Sequence, residues 1–452
     1  MDILDAEDVR SFGAADEPTE DADLRAPLRE GLDRHGHYHS GQMAGRFWPV
    51  ACVALEITQR CNLDCTLCYL SDSAEAAHDV PLSVLFRRLR MIRAHYGPGV
   101  SVQITGGDPT LRSADDLCAI IVLIRSLGLR SCLMTNGIRA TRSLLARLAR
   151  AGLDDVAFHV DLTQQRKGYA TEAALNEIRE RYIRRARGSG VRVLFNTTVH
   201  DGNLEELPAL AQFFRDRAED IAFASFQMQA DTGRGTLGAR GSGLTRERVI
   251  GALEQGYGCA LDTDVAAIGH PSCNAYAVAA VAGGRAVSLL SNRSLFNALA
   301  AAIEAAEPVG GQAALQFWPA ARRAILRRPD LAFRACFHLL GVVTRLGSGV
   351  WRARGKVRSQ TIFIHNFMDA QRLERDRCEG CVFMVATEDG PLSMCVHNAK
   401  RDVELFRPAR TGDGRWWSAA TGEITGEPVS SAASPVPLRK LKGRARLLAK
   451  RR

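Results

Sequence analysis

Three cysteines fall within one short stretch, Cys61-Asn62-Leu63-Asp64-Cys65-Thr66-Leu67-Cys68-Tyr69, directly after an apolar run. Thiolates are the usual ligands of iron-sulfur clusters, and three at such intervals can hold three corners of a 4Fe-4S cube from a single loop. The fourth corner is then open. A cluster with four protein thiolates mainly carries electrons, whereas an open iron can bind and polarise a small molecule. The competing assignments are a structural zinc site, which normally wants two CxxC pairs or added histidines, and incidental buried cysteines.

A second set lies in the other half of the chain. Cys378-Glu379-Gly380-Cys381 is a CxxC pair, Cys395 follows in Met394-Cys395-Val396-His397-Asn398-Ala399, and Cys273 sits upstream in Gly269-His270-Pro271-Ser272-Cys273-Asn274. Four thiolates would close an auxiliary 4Fe-4S cluster. With His397 nearby, three could instead leave an open iron or build a zinc site.

Elements able to position these groups can be read from periodicity. Strand-like runs at 52–57, 100–105, 130–135, 155–161, 191–199 and 220–227 alternate with amphipathic helical stretches at 82–96, 114–127, 142–151, 172–187 and 204–218, the spacing of βα units. The expected fold class is α/β, a partial (βα)6 barrel with a C-terminal auxiliary-cluster domain. In parallel barrels the chemistry gathers at the C-terminal strand ends, where the polar residues fall here. The expected divisions are an irregular acidic arm (1–44), the barrel (45–240), an auxiliary metal and substrate region (241–405) and an irregular basic tail (406–452). In the arm, His35, His37 and His39 could bind metal, but a polar arm is the simpler expectation.

After the second strand comes Thr105-Gly106-Gly107-Asp108-Pro109-Thr110. Two glycines allow close backbone approach to a ligand, and a carboxylate can accept from an ammonium group. The third strand ends at Thr135-Asn136-Gly137, the fourth carries His159 and Asp161, and the fifth Asn196 and Thr198. His159 and Asp161, two apart on a strand, would share a face and point into the barrel. The sixth unit closes on Gly233-Arg234-Gly235, either a surface turn or a guanidinium aimed at a carboxylate or phosphate.

Together these residues resemble the radical S-adenosylmethionine (SAM) enzymes. CNLDCTLCY fits their CxxxCxxC loop, with Leu67 where an aromatic residue is common, and Gly106-Gly107-Asp108-Pro109 is similar to their GGEP turn with Asp108 in place of Glu. The resemblance implies SAM on the open iron, its amino group held at Gly106, Gly107, Asp108 and Pro109, and its carboxylate and ribose near Asn136, His159, Asp161 and Asn196. It implies reductive cleavage of SAM to a 5'-deoxyadenosyl radical that abstracts hydrogen from an unactivated carbon, with a flavodoxin-like or ferredoxin-like electron donor. HPSCNAYA, TIFIHNFMD and CEGC leading to MCVHNAKRD resemble the branch containing the archaeal tetraether-lipid synthase and the archaeal pterin-methylating enzyme. That branch implies an auxiliary cluster on Cys273, Cys378, Cys381 and Cys395, and a small-molecule or lipid substrate. Radical methyl transfer, peptide modification and a non-catalytic iron-sulfur carrier are the alternatives. With no cysteine before Cys52, an N-terminal cluster is not expected.

Composition narrows the class. Hydrophobic residues make up 46% and charged residues 24% of 452, a globular balance. The acidic opening stretch has no signal-peptide character, and twelve cysteines fit reduced thiols and metal ligation, so a cytoplasmic protein is expected. The net charge of +9 owes most to eight Lys or Arg between Arg439 and Arg452. This concentration argues against a nucleic-acid surface, while the tail could touch an anionic membrane. Residues 295–351, rich in Ala, Leu, Phe and Arg, either cover the barrel or lie on a membrane or acyl chain.

Overall fold

The computed structural model describes residues 2–14, 16–19, 22–306 and 313–428. Its centre is a run of six parallel strands paired in chain order: β1 (Cys52–Thr58), β2 (Ser101–Gly106), β3 (Arg130–Thr135), β4 (Asp155–His159), β5 (Arg192–Val199) and β6 (Ile221–Met228). The helices that return the chain are α3 (Leu82–Tyr96), α4 (Ala114–Ser126), α5 (Arg142–Ala151), α6 (Glu172–Ala186) and α7 (Leu207–Asp216), preceded by α1 (Ala6–Ser11) and α2 (Ala26–Arg34). Ser113, Thr141 and Thr171 cap α4, α5 and α6 through their hydroxyls, which fixes where each helix starts.

Strand composition explains the layering. On β2, Val102 and Ile104 are fully buried beneath the helices, while Ser101, Gln103 and Thr105 on the other face are half-buried and line the interior. Leu85, Leu89 and Ile92 of α3 and Ile120, Ile121 and Ile124 of α4 complete the apolar layer. A line of rings, Phe158, Phe195, Phe214 and Phe226, continues it across β4 to β6.

The C-terminal half adds strands to both edges of this sheet. After α8 (Arg246–Tyr257) come β7 (Asn274–Ala282) and β8 (Arg285–Ser288), then helices α9 (Arg293–Ala305), α10 (Ala313–Arg327), α11 (Pro329–Leu346) and α12 (Ser348–Arg352), and then β9 (Arg358–His365). Next are α13 (Arg375–Glu379), β10 (Phe383–Ala386), β11 (Pro391–Ser393), α14 (Met394–Ala399) and α15 (Arg401–Phe406). Strand β9 pairs in parallel with β6, and β10 in parallel with β1, so eight parallel strands run from β10 to β9. The two ends meet through side chains: the ring of Phe383 on β10 lies 5.8 Å from Phe363 and 4.5 Å from His365 on β9.

Three expectations are corrected. The arm at 1–44 is not an irregular polar segment: α2 buries Leu28 and Leu32 against Val382 and Phe383, and Leu4 packs with Leu373 and Cys395. Asp2 and Asp8 pair with Arg375 at 2.7 and 2.9 Å, so the acidic charge of the arm has a docking partner. Residues 406–428 are not an irregular tail either. They form β12 (Ala409–Arg410), β13 (Trp416–Trp417) and β14 (Ile424–Thr425), with Trp417 buried in the main core. The fourth strand ends at His159, and Asp161 caps the turn that follows. The basic run at 439–452 lies outside the described residues.

Candidate functional site

The cysteine loop leaves β1 and is gripped by backbone from two directions. Gly106 and Gly107 lie against the end of β1: the amides of Gly107 and Asp108 donate to Thr58 O and Arg60 O, both at 2.8 Å. A Cβ at Gly107 would sit 2.1 Å from Arg60 O, so this chain itself demands the glycine. From the other side, Thr236 N donates to Thr66 O at 2.6 Å, and a Cβ at Gly233 would meet the Tyr69 backbone at 2.5 Å. The Gly-Arg-Gly segment therefore lies on the loop and is no surface turn. Arg234 is buried, pairs with Glu75 at 3.0 Å and lies beside the Cys68 thiol.

Cys61, Cys65 and Cys68 come together as mutual neighbours. Burial, then the nearby thiols and Asp161, push the Cys65 thiol well above its usual range. Asn136 reaches the loop through Nδ2, which donates to Asn62 Oδ1 at 2.6 Å and approaches Cys61 Sγ at 4.0 Å.

Asp108 is fully buried, and its carboxylate is used by the chain. It accepts from Thr110 N at 2.9 Å, Thr110 Oγ1 at 2.5 Å, Thr135 Oγ1 at 2.9 Å and Asn136 N at 2.9 Å. Four donors fill the acceptor positions of a carboxylate. In this arrangement Asp108 ties the end of β2 to the end of β3 instead of pointing an empty oxygen at a ligand's ammonium. Pro109 is buried in the same turn.

His159 and Asp161 are bonded to each other, Nε2 to Oδ2 at 2.6 Å. Asp161 also accepts from Thr163 N at 2.9 Å and Thr198 N at 2.7 Å, while Asn196 Nδ2 sits 3.3 Å from His159 Nδ1. Burial lowers the His159 pKa, but the Asp161 charge and bond outweigh it, so the imidazole titrates above its ordinary value; Asp161 is held below the usual carboxylate range. With its folded value raised, His159 contributes stability that is complete below about pH 6.5 and is lost as pH rises through the folded value. Asp161, depressed, contributes above about pH 3.9 and loses that contribution as pH falls through its own folded value. The melting-temperature gap between wild type and His159→Gln should therefore be widest at about pH 5–6 and narrow as pH rises. A gap that widens towards alkaline pH would contradict the ion pair.

The second cysteine set assembles where β9 and β10 meet. Cys273 immediately precedes β7, Cys378 lies on α13, Cys381 leads into β10 and Cys395 lies on α14. All four are electrostatic neighbours. Burial, offset in part by the Arg377 cation, sets the Cys273 thiol at about 11, and burial with the thiols of Cys395, Cys381 and Cys273 raises Cys378 higher still. Arg377 Nε donates to Cys273 Sγ at 3.2 Å and its Nη2 to Asn366 O at 2.5 Å. His397 is buried on α14 with its pKa lowered to about 3 by burial, and its Nδ1 has no hydrogen-bond partner among the described residues.

His37 and His270 both face Asp376 Oδ2, at 3.5 and 3.3 Å. Ser272 N donates to His270 Nδ1 at 3.1 Å, which places the proton of a neutral His270 on Nε2, towards Asp376. The trio thus reads as a hydrogen-bonded clasp between the arm and the loop of the second cysteine set. His35 adds a contact to Glu379 at 3.0 Å, and His39 Nδ1 accepts from Gly41 N within the arm.

Sequence reasoning missed the group linking the two cysteine sets. Arg401 on α15 donates to Glu56 Oε1 at 2.6 Å and to Asn398 Oδ1 at 2.5 Å, and its guanidinium lies 4.8 Å from the Tyr69 ring centroid. Tyr69 OH donates to Gly106 O, and Gln59 Nε2 to Glu56 Oε2 at 2.9 Å. Burial would raise the Glu56 pKa, but the Arg401 charge brings it down to about 2. One signal was present: a lone Glu in the apolar run CVALEIT needs a buried partner. Arg166, near Cys65, was also missed; it donates to Asn136 O at 2.6 Å and Tyr182 OH at 2.9 Å.

Residues 55–214 match the family model described as the radical SAM superfamily. The chain is 28% identical over 187 residues to the 7,8-dihydro-6-hydroxymethylpterin dimethyltransferase of Methanocaldococcus jannaschii, covering 40% of this chain and 36% of that protein. It is 29% identical over 183 residues to the PqqA peptide cyclase of Xanthomonas euvesicatoria, covering 40% of this chain and 48% of that protein. The chain thus spans less than half the length of either relative. Among solved structures, SuiB of Streptococcus suis bound to its precursor peptide SuiA aligns with a TM-score of 0.35 at 18% identity, over 42% of each chain.

Proposed function

We propose, from the match of residues 55–214 to the radical SAM family model, that the protein cleaves SAM reductively and uses the resulting radical on an unactivated carbon. The observation that carries the reading is the convergence of three thiols on a loop clamped by the Gly106-Gly107 turn. Their number and softness suit a 4Fe-4S cluster with one open iron, and the cations of Arg234 and Arg166 beside Cys68 and Cys65 suit an anionic cluster. When bound, such a cluster supplies the electron for cleavage of the SAM sulfonium bond.

The chain's own part is to bind, orient and exclude water. Asp108 fixes the ends of β2 and β3, which keeps Asn136 against the cysteine loop. Asn196 Oδ1 and His365 Nδ1 are buried without a hydrogen-bond partner among the described residues, which suits them to a bound molecule. The rings of Phe363, Phe367 and Phe383 surround His365, keep water from it, and hold its pKa down at about 3 through burial. A neutral His365 can offer Nδ1 to a substrate without adding charge. The second cysteine set would hold an auxiliary cluster through Cys273, Cys378, Cys381 and Cys395, with Arg377 beside Cys273 compensating its negative charge.

The finer reading is a lipid substrate, supported by the exposed apolar and basic helices between Trp318 and Trp351. Methyl transfer or peptide modification is the second reading, in line with the names of the two relatives. Anaerobic incubation of the reconstituted protein with SAM and dithionite should yield 5'-deoxyadenosine; none from protein with full iron content would sink the radical reading in favour of an electron carrier. Label from the SAM methyl group entering the product would select methyl transfer over coupling.

A further inference from the structure

Large apolar side chains are exposed in one part of the molecule far more than elsewhere. Trp318 and Leu326 on α10 are 78% and 72% exposed, Phe333, Phe337 and Leu340 on α11 between 58% and 66%, and Trp351 on α12 87%. On α11 the three fall at i, i+4 and i+7, a continuous stripe. The opposite face of α11 is already committed, since Val342 and Leu346 pack on Ala280, Ala282 and Val287 of the sheet. On α10, Phe317 is held 5.4 Å from Phe47, which turns Trp318 outward. The exposed stripe is thus a second apolar face that the described residues do not bury. Single exposed apolar residues are ordinary, but a set of this size on three successive helices that touch one another marks a surface meant to be covered.

The charge around it says what covers it. Along the sequence from Phe317 to Lys356 stand nine Lys or Arg and one acid, Asp330, which pairs with Arg328 at 2.9 Å; from outside the segment, Glu219 lies 4.0 Å from Lys356. Arginines on the rim of an apolar helix face can snorkel towards anionic headgroups while the rings enter the acyl boundary. Tryptophan suits that boundary, with an apolar body and a polar N–H. No helix among the described residues is long and apolar enough to cross a membrane, so the geometry is that of lying on one.

We propose that α10, α11 and α12 form a docking face for an anionic lipid bilayer, with Trp318, Phe333, Phe337 and Trp351 inserted at the headgroup boundary. This stands independently of the chemistry assigned to the cysteine loop. The face, and not only the basic run at 439–452, then sets binding.

The test uses the full chain and vesicles of phosphatidylglycerol mixed with phosphatidylcholine. Co-sedimentation should be strong on the mixed vesicles and weak on phosphatidylcholine alone. Phe333→Ser combined with Phe337→Ser, both at exposed positions where the fold is not at risk, should weaken binding by about tenfold or more, since two rings no longer leave water. Tryptophan emission should be quenched by lipids brominated near the headgroup, and Trp351→Ser should remove part of that quenching. The proposal is overturned if the double variant binds as wild type does, which assigns binding to the tail, or if no vesicle binding occurs. It is equally overturned if the wild type forms a dimer that the double variant abolishes, which assigns the face to a second copy.

Discussion

Replacing Cys65 by Ala should remove about four iron atoms per chain and bring 5'-deoxyadenosine formation below detection, while the metal proposed for the second cysteine set stays. The reason is geometric: Cys65 is the middle thiol of a loop whose backbone is held by Gly233, Gly235 and Thr236 on one side and Gly106 and Gly107 on the other, so the loop is fixed in place around it. Cys378→Ala should produce the complementary result, with metal lost from the second set and SAM cleavage by the first retained. Cys118→Ala, on α4 away from both sets, should change neither. Iron and sulfide analysis with product detection on the three variants checks this, and equal loss from Cys65→Ala and Cys378→Ala would refute two separate sites.

The second large effect concerns Asp108. If its carboxylate served mainly to reach the SAM amino group, Asp108→Glu would supply the residue usual in the GGEP turn that this stretch resembles and should preserve or improve SAM binding. The bonding in this chain leads to the opposite expectation. The carboxylate is fully buried and satisfied by Thr110, Thr135 and Asn136, and an added methylene has no space to enter. Asp108→Glu should destabilise the protein by about 1–3 kcal/mol through overpacking. Asp108→Ala should cost about 3 kcal/mol or more, because several buried donors lose their acceptor. Denaturant unfolding of the apo protein measures both without SAM, so a structural role can be told from a ligand contact. An Asp108→Glu variant as stable as wild type and tighter for SAM would overturn the positioning role.

Both predictions show where local sequence suffices and where it does not. The spacing of Cys61, Cys65 and Cys68, the two glycines one strand later and the alternation of apolar runs with amphipathic helices are short-range patterns. The period of each element and the reach of one loop fix them, so the order of strands and helices and the cysteine loop were legible from the chain, while the end of the fourth strand was not. The function of individual polar residues was less so. Asp108 and Asp161 look like ligand-facing carboxylates in sequence, but each binds backbone amides and hydroxyls two residues away and on the next strand.

The cysteine loop itself is the clearest division between what the sequence by itself determined and what only the tertiary structure decided. Its grouping of thiols was determined locally, because three thiols in eight residues cannot be far apart. Its enclosure was not. Arg401 and Glu56 meet across 345 residues, Arg234 reaches beneath Cys68 from beyond β6, and the acidic arm docks through Arg375 onto the loop of the second cysteine set. An ion pair requires of each partner only its charge, which leaves no period or spacing to read. The same holds for β9 and β10: their apolar runs announce strands, but only the closing of the sheet decides that they flank β6 and β1 and bring the second set of thiols together.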